Sequence, residues 1–173
     1  LAVPNANFAD RCLGLGGTRY VLVEFGRLVP ADGSVDVLSR MTAQGVVPLL
    51  AHPERYAACS VGQAARWREA GALLQVDATT LLADTRRAGR ARALVEAGCA
   101  TIIASDNHGD QRNLQVAVEW LESHGGRTQA RLLAVENPAA ILAGETPAPV
   151  PAMRLRRSWY SMLKEFVAGG AEA

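Results

Sequence analysis

The chain has 173 residues, of which 49% are hydrophobic and 20% charged, so it is too apolar for an intrinsically disordered protein and long enough for one globular domain. Its 18 basic and 17 acidic residues leave a formal net charge of +1, which is not the large positive charge typical of nucleic-acid-binding proteins. Three cysteines without a C-x-x-C pair favour reduced thiols, and hence a cytoplasmic protein, over a disulfide framework or zinc ribbon. No apolar run approaches the ~20 residues that span a bilayer.

Short apolar segments alternate with helical ones along most of the chain. Four β-strands are predicted, at residues 20–25, 46–51, 72–77 and 100–105. Helices are predicted at residues 34–44, 61–70, 79–97, 112–124, 128–135 and 137–143. The first three helices end at Gly45, Gly71 and Gly98, each followed closely by a strand. This repeat of about 26 residues predicts parallel strands joined by right-handed crossovers.

Such α/β units fit either an open doubly wound sheet or part of a (β/α) barrel. Four strands cannot close a barrel, so the barrel interpretation requires further units. The chain begins at Leu1 and its first methionine is Met41, so we expect a processed, trimmed or partial chain. Residues 1–145 are expected to form the α/β domain.

Residues 146–173 are expected to form a proline-rich linker followed by an amphipathic tail helix at 153–167. The apolar stripe of that helix either packs on the protein's own domain, which we favour, or docks on a membrane-proximal kinase or an anionic lipid surface.

Chemically active side chains follow three of the four predicted strands. Glu24 lies at the end of the first strand, His52 directly follows the second, and Asp106 and His108 follow the fourth. The carboxyl edge of a parallel sheet is where ligands bind. Carboxylate and imidazole groups are ligands for Mn²⁺, Fe²⁺ or Zn²⁺. Taken singly, Glu24 could pair with an arginine, His52 could be a hydrogen-bonded turn residue, and Asp106 could be an N-cap.

Two arginines lie close in sequence to these candidate ligands. Arg55 follows His52 by three residues and fits an anion-binding role, because guanidinium matches phosphate oxygens bidentately. Arg112 is a weaker second candidate. The alternative for Arg55 is an ion pair with Glu24, Glu54 or Asp106, and the alternative for Arg112 is a solvated position at a helix start. Asp77, at the end of the third strand, is interpreted as a cap or a partner of the ligands rather than a ligand itself.

A cysteine-dependent phosphatase is disfavoured. The C-x5-R phosphate loop is absent, because the pairs Cys12–Arg19 and Cys59–Arg66 are each one residue too long. No G-x-S-x-G or Walker motif occurs either.

Three segments together resemble one family: GTRYVLVEF at residues 17–25, VPLLAHPERY at 47–56 and ASDNH at 104–108. They are similar to the metal-dependent protein tyrosine phosphatases of the PHP class, found in bacterial capsule and exopolysaccharide loci. The similarity covers about residues 15–145, and its most specific element is the His-Pro-Glu-Arg-Tyr string. It implies that the chain is the carboxyl-terminal part of a distorted (β/α)7 TIM-like barrel with a three-metal site.

The resemblance also implies roles for individual residues. Glu24 would be a bridging metal ligand, His52 another ligand, and Asp106 and His108 ligands of different ions. Arg55 would bind the substrate phosphate and stabilise the transition state, and Arg112 would be a second phosphate arginine. The expected ions are divalent, most often Mn²⁺, with Fe²⁺ or Zn²⁺ as alternatives. The implied reaction is metal-dependent hydrolysis of phosphotyrosine on a bacterial tyrosine kinase that controls capsule or exopolysaccharide synthesis.

This sequence departs from the family pattern at two places. The His-x-His pair that opens the family is not in the chain, and Asn107 stands where the family usually has Ala. We therefore expect this chain alone to be inactive and to self-associate. The alternatives are another PHP phosphoesterase, such as a histidinol-phosphate phosphatase, or a non-catalytic barrel remnant that acts as a binding module.

Overall fold

A computed structural model describes residues 11–109 and 112–156 of the chain. Its centre is a four-stranded parallel sheet in the order β1-β2-β3-β4. The strands are β1 (Tyr20–Val23), β2 (Val47–Ala51), β3 (Leu73–Asp77) and β4 (Ile102–Ala104). Each strand lies beside its predecessor without a reversal of order. That arrangement is a segment of a barrel wall, because a doubly wound sheet reverses its strand order at a switch point.

Helices connect the strands and cover the sheet. They are α1 (Ala31–Ala43), α2 (Val61–Glu69), α3 (Ala78–Leu82), α4 (Arg86–Glu96), α5 (Leu114–Ser123), α6 (Arg127–Arg131) and α7 (Asn137–Leu142). A 3-10 turn spans Pro53–Arg55, and a π-helical turn at Leu132–Glu136 joins α6 to α7. Within the described residues, no helix is both long and apolar enough to cross a membrane.

The single helix predicted at residues 79–97 is wrong, because the structure has two helices there. Asp77 caps α3 by accepting a hydrogen bond from the Thr79 amide, and Ala83 then leaves the helix with extended backbone angles. The Thr85 hydroxyl accepts a hydrogen bond from the Ala88 amide and starts α4. Local capping by Thr85 therefore divides a segment whose composition is helical throughout.

Pro48 lies inside β2 without breaking the sheet. The Val47 amide donates to the Arg19 carbonyl on the β1 side, so the nitrogen of the next residue faces β3. The β2–β3 register begins only at Leu49 and Leu73. The proline therefore costs no hydrogen bond between strands, because β3 has not begun at its level.

The main core lies between the sheet and helices α1 to α5. Trp67 on α2 is fully buried, and its indole Nε1 donates to the Ser34 hydroxyl of α1 at 2.8 Å. Leu50, Leu74 and Ile103 from three adjacent strands join it in one cluster. This packing holds the strands side by side, so the residues that follow them meet at one edge.

Residues 146–156, here called the terminal strap, pack against the domain. Val150 is buried in the main core, and Met153 and Leu155 pack against it. Hydrogen bonds join the strap to side chains or carbonyls of Asn137, Gln129, Glu96 and His124. Residues 153–156, the start of the predicted tail helix, have no helical structure, and the remainder of that helix lies outside the described residues.

Candidate metal and phosphate site

The carboxyl edge of the sheet brings together the side chains predicted from strand ends. Glu24 follows β1, His52 follows β2, Asp77 closes β3, and Asp106 follows β4 by two residues. Residues 52–55 form the turn that carries Arg55 over this edge. Because helical crossovers join these strands in parallel, the strands all end at the same edge of the sheet. The candidate residues therefore lie together on one side of the molecule.

Glu24 and His52 form the first pair of candidate ligands. Glu24 Oε1 lies 3.3 Å from His52 Nε2. The glutamate side chain is 65% exposed, whereas His52 is buried. Glu24 thus pairs with the imidazole of His52 and not with an arginine, which was the alternative considered for it.

The backbone of His52 adopts a left-handed conformation, with φ of 33°. Histidine adopts this region only at a cost, so surrounding structure must hold it there. The following Pro53 begins the 3-10 turn, and the Arg55 amide donates to the His52 carbonyl at 3.0 Å. His52 Nδ1 is buried without a hydrogen-bond partner among the described residues, which leaves a ring nitrogen available for a ligand.

Tyr56 fixes the spacing between the ends of β1 and β2. Its hydroxyl donates to the Ala51 carbonyl at 2.8 Å and accepts from the Phe25 amide at 3.0 Å. Burial raises the pKa of this phenol to about 12. Tyr56 therefore acts as a neutral bridge that holds Glu24 beside His52, a role that its place in the His-Pro-Glu-Arg-Tyr string could not reveal.

Arg55 lies between two carboxylates. Its Nη2 donates to Asp77 Oδ2 and to Asp106 Oδ2, each at 2.6 Å. Partial burial alone would lower the pKa of the guanidinium, but the hydrogen bonds and charges of Asp77 and Asp106 outweigh it and raise the pKa. The side chain is still 30% exposed, so its remaining N–H groups can reach an anionic ligand.

Asp106 is the centre of the second group. Its φ of 50° is again a left-handed conformation in a residue other than glycine. Oδ1 lies 3.2 Å from His108 Nε2, and Oδ2 accepts from Arg112 Nη1 at 3.2 Å. Burial would raise the pKa of this carboxyl, but the hydrogen bond and charge of Arg55 prevail and lower it. The helix that follows is capped by Asn113 instead, so Asp106 is no N-cap.

Asp77 combines both of the roles considered for it. Oδ1 accepts from the Thr79 amide at 2.8 Å and caps α3, while Oδ2 accepts from the Thr80 hydroxyl and from Arg55. The residue is 2% exposed. A buried carboxylate with three donors holds the guanidinium of Arg55 in one place.

Glu54 is a functional-site residue that sequence reasoning missed. It is fully buried, Oε1 accepts from the Asp77 amide at 3.0 Å, and Oε2 has no partner within the described part of the chain. Burial raises the pKa of Glu54 to about 7. The available signal was an acid inside an otherwise buried turn, since a buried acid needs a specific reason.

The side chains at this edge are of the types that bind a divalent ion, but too few of them lie together to complete a metal site. Each pair, Glu24 with His52 and Asp106 with His108, supplies one carboxylate and one imidazole. Across residues 11–109 and 112–156, no three His, Cys, Asp or Glu side chains lie close enough together to hold a metal ion. The chain thus presents two half-sites at one edge, and structural or catalytic metal sites need three or four protein ligands.

Cys59 does not have the properties of a catalytic thiol. Cys59 is buried, and burial raises the pKa of its thiol to about 12. Such a group is protonated near neutral pH and is a poor nucleophile.

Comparison with known proteins identifies the family of the chain. Residues 5–143 match the model of the family described as "Capsular polysaccharide synthesis, CpsB/CapC". The chain belongs to the CpsB/CapC family. It is also similar to a chain from the crystal structures of YwqE from Bacillus subtilis and CpsB from Streptococcus pneumoniae, which are metal-dependent tyrosine phosphatases. The match has 27% sequence identity and a TM-score of 0.70, and it covers 84% of this chain and 61% of the other. This CpsB/CapC chain thus spans about three fifths of the length of that solved chain.

Proposed function

We propose that this CpsB/CapC chain is part of the catalytic barrel of a metal-dependent protein tyrosine phosphatase. The observation that carries the proposal is the position of Arg55, a partly exposed guanidinium fixed by buried Asp77 beside the carboxylate of Asp106. An anion-binding group next to two carboxylate–imidazole pairs combines a phosphate contact with candidate metal ligands, and both serve in metal-assisted phosphate ester hydrolysis. The solved relative's activity supports the same class of reaction.

Glu24, His52, Asp106 and His108 are proposed to hold divalent ions. Bound divalent ions supply Lewis acidity and make water nucleophilic near neutral pH. Around them, Arg55 binds the non-bridging phosphoryl oxygens and neutralises the charge that develops on them, with Arg112 as a second donor. Asp77 keeps Arg55 in the geometry for that contact, and Glu54 holds the backbone of Asp77.

The finer assignments belong to the same proposal. The ion is Mn²⁺, with Fe²⁺ and Zn²⁺ as alternatives that share these ligands. The substrate is a tyrosine-phosphorylated protein, in particular a bacterial tyrosine kinase that controls capsule or exopolysaccharide synthesis, and the site of action is the cytoplasm. The division at residue 145 is proposed as the end of the barrel part.

The test measures release of phosphate from a phosphotyrosine peptide by the whole protein. We expect activity that disappears with a chelator, returns with Mn²⁺, and survives iodoacetamide. Survival of activity after exhaustive chelation, combined with loss after alkylation, would replace the metal mechanism with a thiol mechanism.

A substrate panel separates the related alternative. Histidinol phosphate and phosphotyrosine peptide are offered at equal concentrations, and kcat/KM is compared. Preference for histidinol phosphate would assign the chain to another PHP phosphoesterase, and no turnover of either would favour a binding module.

A further inference from the structure

A cavity of about 410 Å³ adjoins the site at the carboxyl edge of the sheet. Its lining residues are Thr79, Thr80, Ala83, Thr85, Arg86 and Arg87. This volume lies within the range of pockets that bind small groups. The candidate ligands and Arg55 lie outside this cavity, so it is a separate feature of the same edge.

One side chain, Asp77, separates this cavity from Arg55. Thr80 in the cavity wall donates to Asp77 Oδ2 at 2.8 Å, and the same oxygen accepts from Arg55 at 2.6 Å. A polypeptide with its phosphoryl group on Arg55 would therefore carry its neighbouring residues past the cavity.

The arginines of α4 divide into two groups. Arg90 donates to the carbonyls of Glu54 and Tyr56, on either side of Arg55, and so ties α4 to the turn that carries the phosphate arginine. Arg92 donates to the carbonyls of Leu81 and Ala83 and holds the cavity wall. Both of these side chains are occupied by structural contacts.

Arg86 and Arg87 are different, because both are exposed and neither pairs with any residue in the described ranges. They line the cavity where α4 begins, and the amide dipoles there add positive potential. The acid between the two helices, Asp84, is also exposed and opposes only part of this charge. Two unpaired guanidiniums at a cavity beside a phosphate arginine form a surface that is complementary to an anionic occupant.

We infer that this cavity is a specificity pocket for the acidic residues that flank the phosphotyrosine of the substrate. This pocket rests on the proposed function, and it would give the phosphatase a preference for substrates with acidic residues beside the phosphotyrosine. Arg86 and Arg87 bind Asp or Glu side chains of the substrate, and the threonines line the rest of the cavity wall.

The test measures peptide binding to the 173-residue chain by fluorescence anisotropy. Three labelled phosphotyrosine peptides carry three Glu before, three Glu after, or three Gln on both sides of the phosphotyrosine. Unphosphorylated forms of each are included. We expect one of the two Glu peptides, with Glu either before or after the phosphotyrosine, to bind about fivefold more tightly than the Gln peptide. The factor is modest because each of the two exposed charge pairs contributes little to the binding free energy. The preference should weaken with added salt.

The variant with Arg86→Gln and Arg87→Gln should lose the preference for Glu while it binds the Gln peptide as before. The variant with Lys at both positions should retain most of the preference. Arg127→Gln, which changes an exposed arginine at the start of α6 outside the cavity, is the matched control. Equal loss for Glu and Gln peptides, an unchanged preference, or no binding of any peptide by the parent chain would each overturn the inference.

The outcome is separable from that of the proposed function. Hydrolysis of phosphotyrosine without any acidic preference would retain the phosphatase and remove the specificity pocket. An acidic preference that depends on Arg86 and Arg87 in a protein without hydrolysis would retain the pocket and remove the catalytic proposal.

Discussion

Asp77 Oδ2 and Arg55 Nη2 lie 2.6 Å apart at the carboxyl edge of the sheet. The carboxylate is buried and the guanidinium is partly exposed. A rigid acid therefore sets the direction of a cation that points toward solvent, which is the arrangement that prepares an anion site before the ligand arrives.

Asp77→Asn should lower kcat/KM of the whole protein for phosphotyrosine peptide by about 100-fold, because a misplaced positioning group costs roughly this much. Asparagine can still accept from the Thr79 amide and cap α3, so the melting temperature should change little. Inhibition by inorganic phosphate should weaken in parallel, and bound metal should stay constant. A large fall in melting temperature would show that Asp77 acts through the fold instead.

Arg55→Ala should reduce turnover by a factor of ~10³ or more, because an arginine that stabilises phosphoryl charge contributes this much. Metal content, measured by atomic spectroscopy, should stay near that of the parent protein. Arg55→Lys is the control that retains charge but loses the fork of donors. Parallel loss of metal would mean that Arg55 supports the ligands rather than the phosphate.

The raised pKa of Glu54 predicts how the free energy of unfolding depends on pH. Burial raises the pKa of Glu54 from its ordinary value of 4.5 to about 7, so the stability that Glu54 contributes is fully present below pH 4.5 and is lost as pH rises through 7. The change is on the order of 3 kcal/mol between pH 5 and 8. The lowered pKa of Asp106 acts below pH 3.8, so it adds no slope in this window.

Urea unfolding of the chain in chelator at pH 5 and pH 8 measures this effect. The parent should be less stable at pH 8, and Glu54→Gln should lose much of that difference because the amide does not ionise. An equal pH dependence in both proteins would show that Glu54 keeps an ordinary pKa.

The two half-sites predict weak metal binding by the 173-residue chain. Ions in two-metal phosphatases lie about 4 Å apart and share several ligands. Calorimetry with Mn²⁺ should give about one weak site, and phosphotyrosine peptide should not be hydrolysed. His52→Ala should abolish this weak Mn²⁺ binding if the pair of Glu24 and His52 holds the ion. Robust turnover by the purified chain would show that these four residues suffice.

The terminal strap predicts where the chain can be shortened. A chain that ends at Glu145 loses buried Val150 and the two hydrogen bonds between Asn137 and Ala148, so we expect a loss of several kcal/mol. A chain that ends at Arg156 keeps these contacts and separates the two alternatives for residues 157–167. A melting temperature below that of the full chain is expected if the apolar stripe packs on the protein's own domain, which we favour. An unchanged melting temperature with lost binding to anionic liposomes would support docking instead.

The sheet could be predicted because parallel strands covered by helices consist of continuous apolar segments, and glycine ends each crossover. The division between α3 and α4 could not, because it depends on one threonine side chain that caps locally within a helical composition. Glu24, His52 and Asp106 could be placed at one edge from strand ends alone. The ion pair of Arg55 with Asp106 could be named as one alternative among three acids, but the sequence could not select it, because the two residues are 51 positions apart. The second pair of Arg55, with Asp77, could not be predicted.

The path of the terminal strap also decides which way the protein faces when it is tethered. Arg156, the last described residue, donates its amide to the His124 carbonyl at the end of α5, and Met153 donates to the Glu96 carbonyl at the end of α4. Helices that follow parallel strands end beside the amino edge of the sheet, opposite Arg55 and the candidate ligands. A surface, tag or partner held through residue 156 would therefore leave the phosphate-binding edge directed outward and open to incoming substrate.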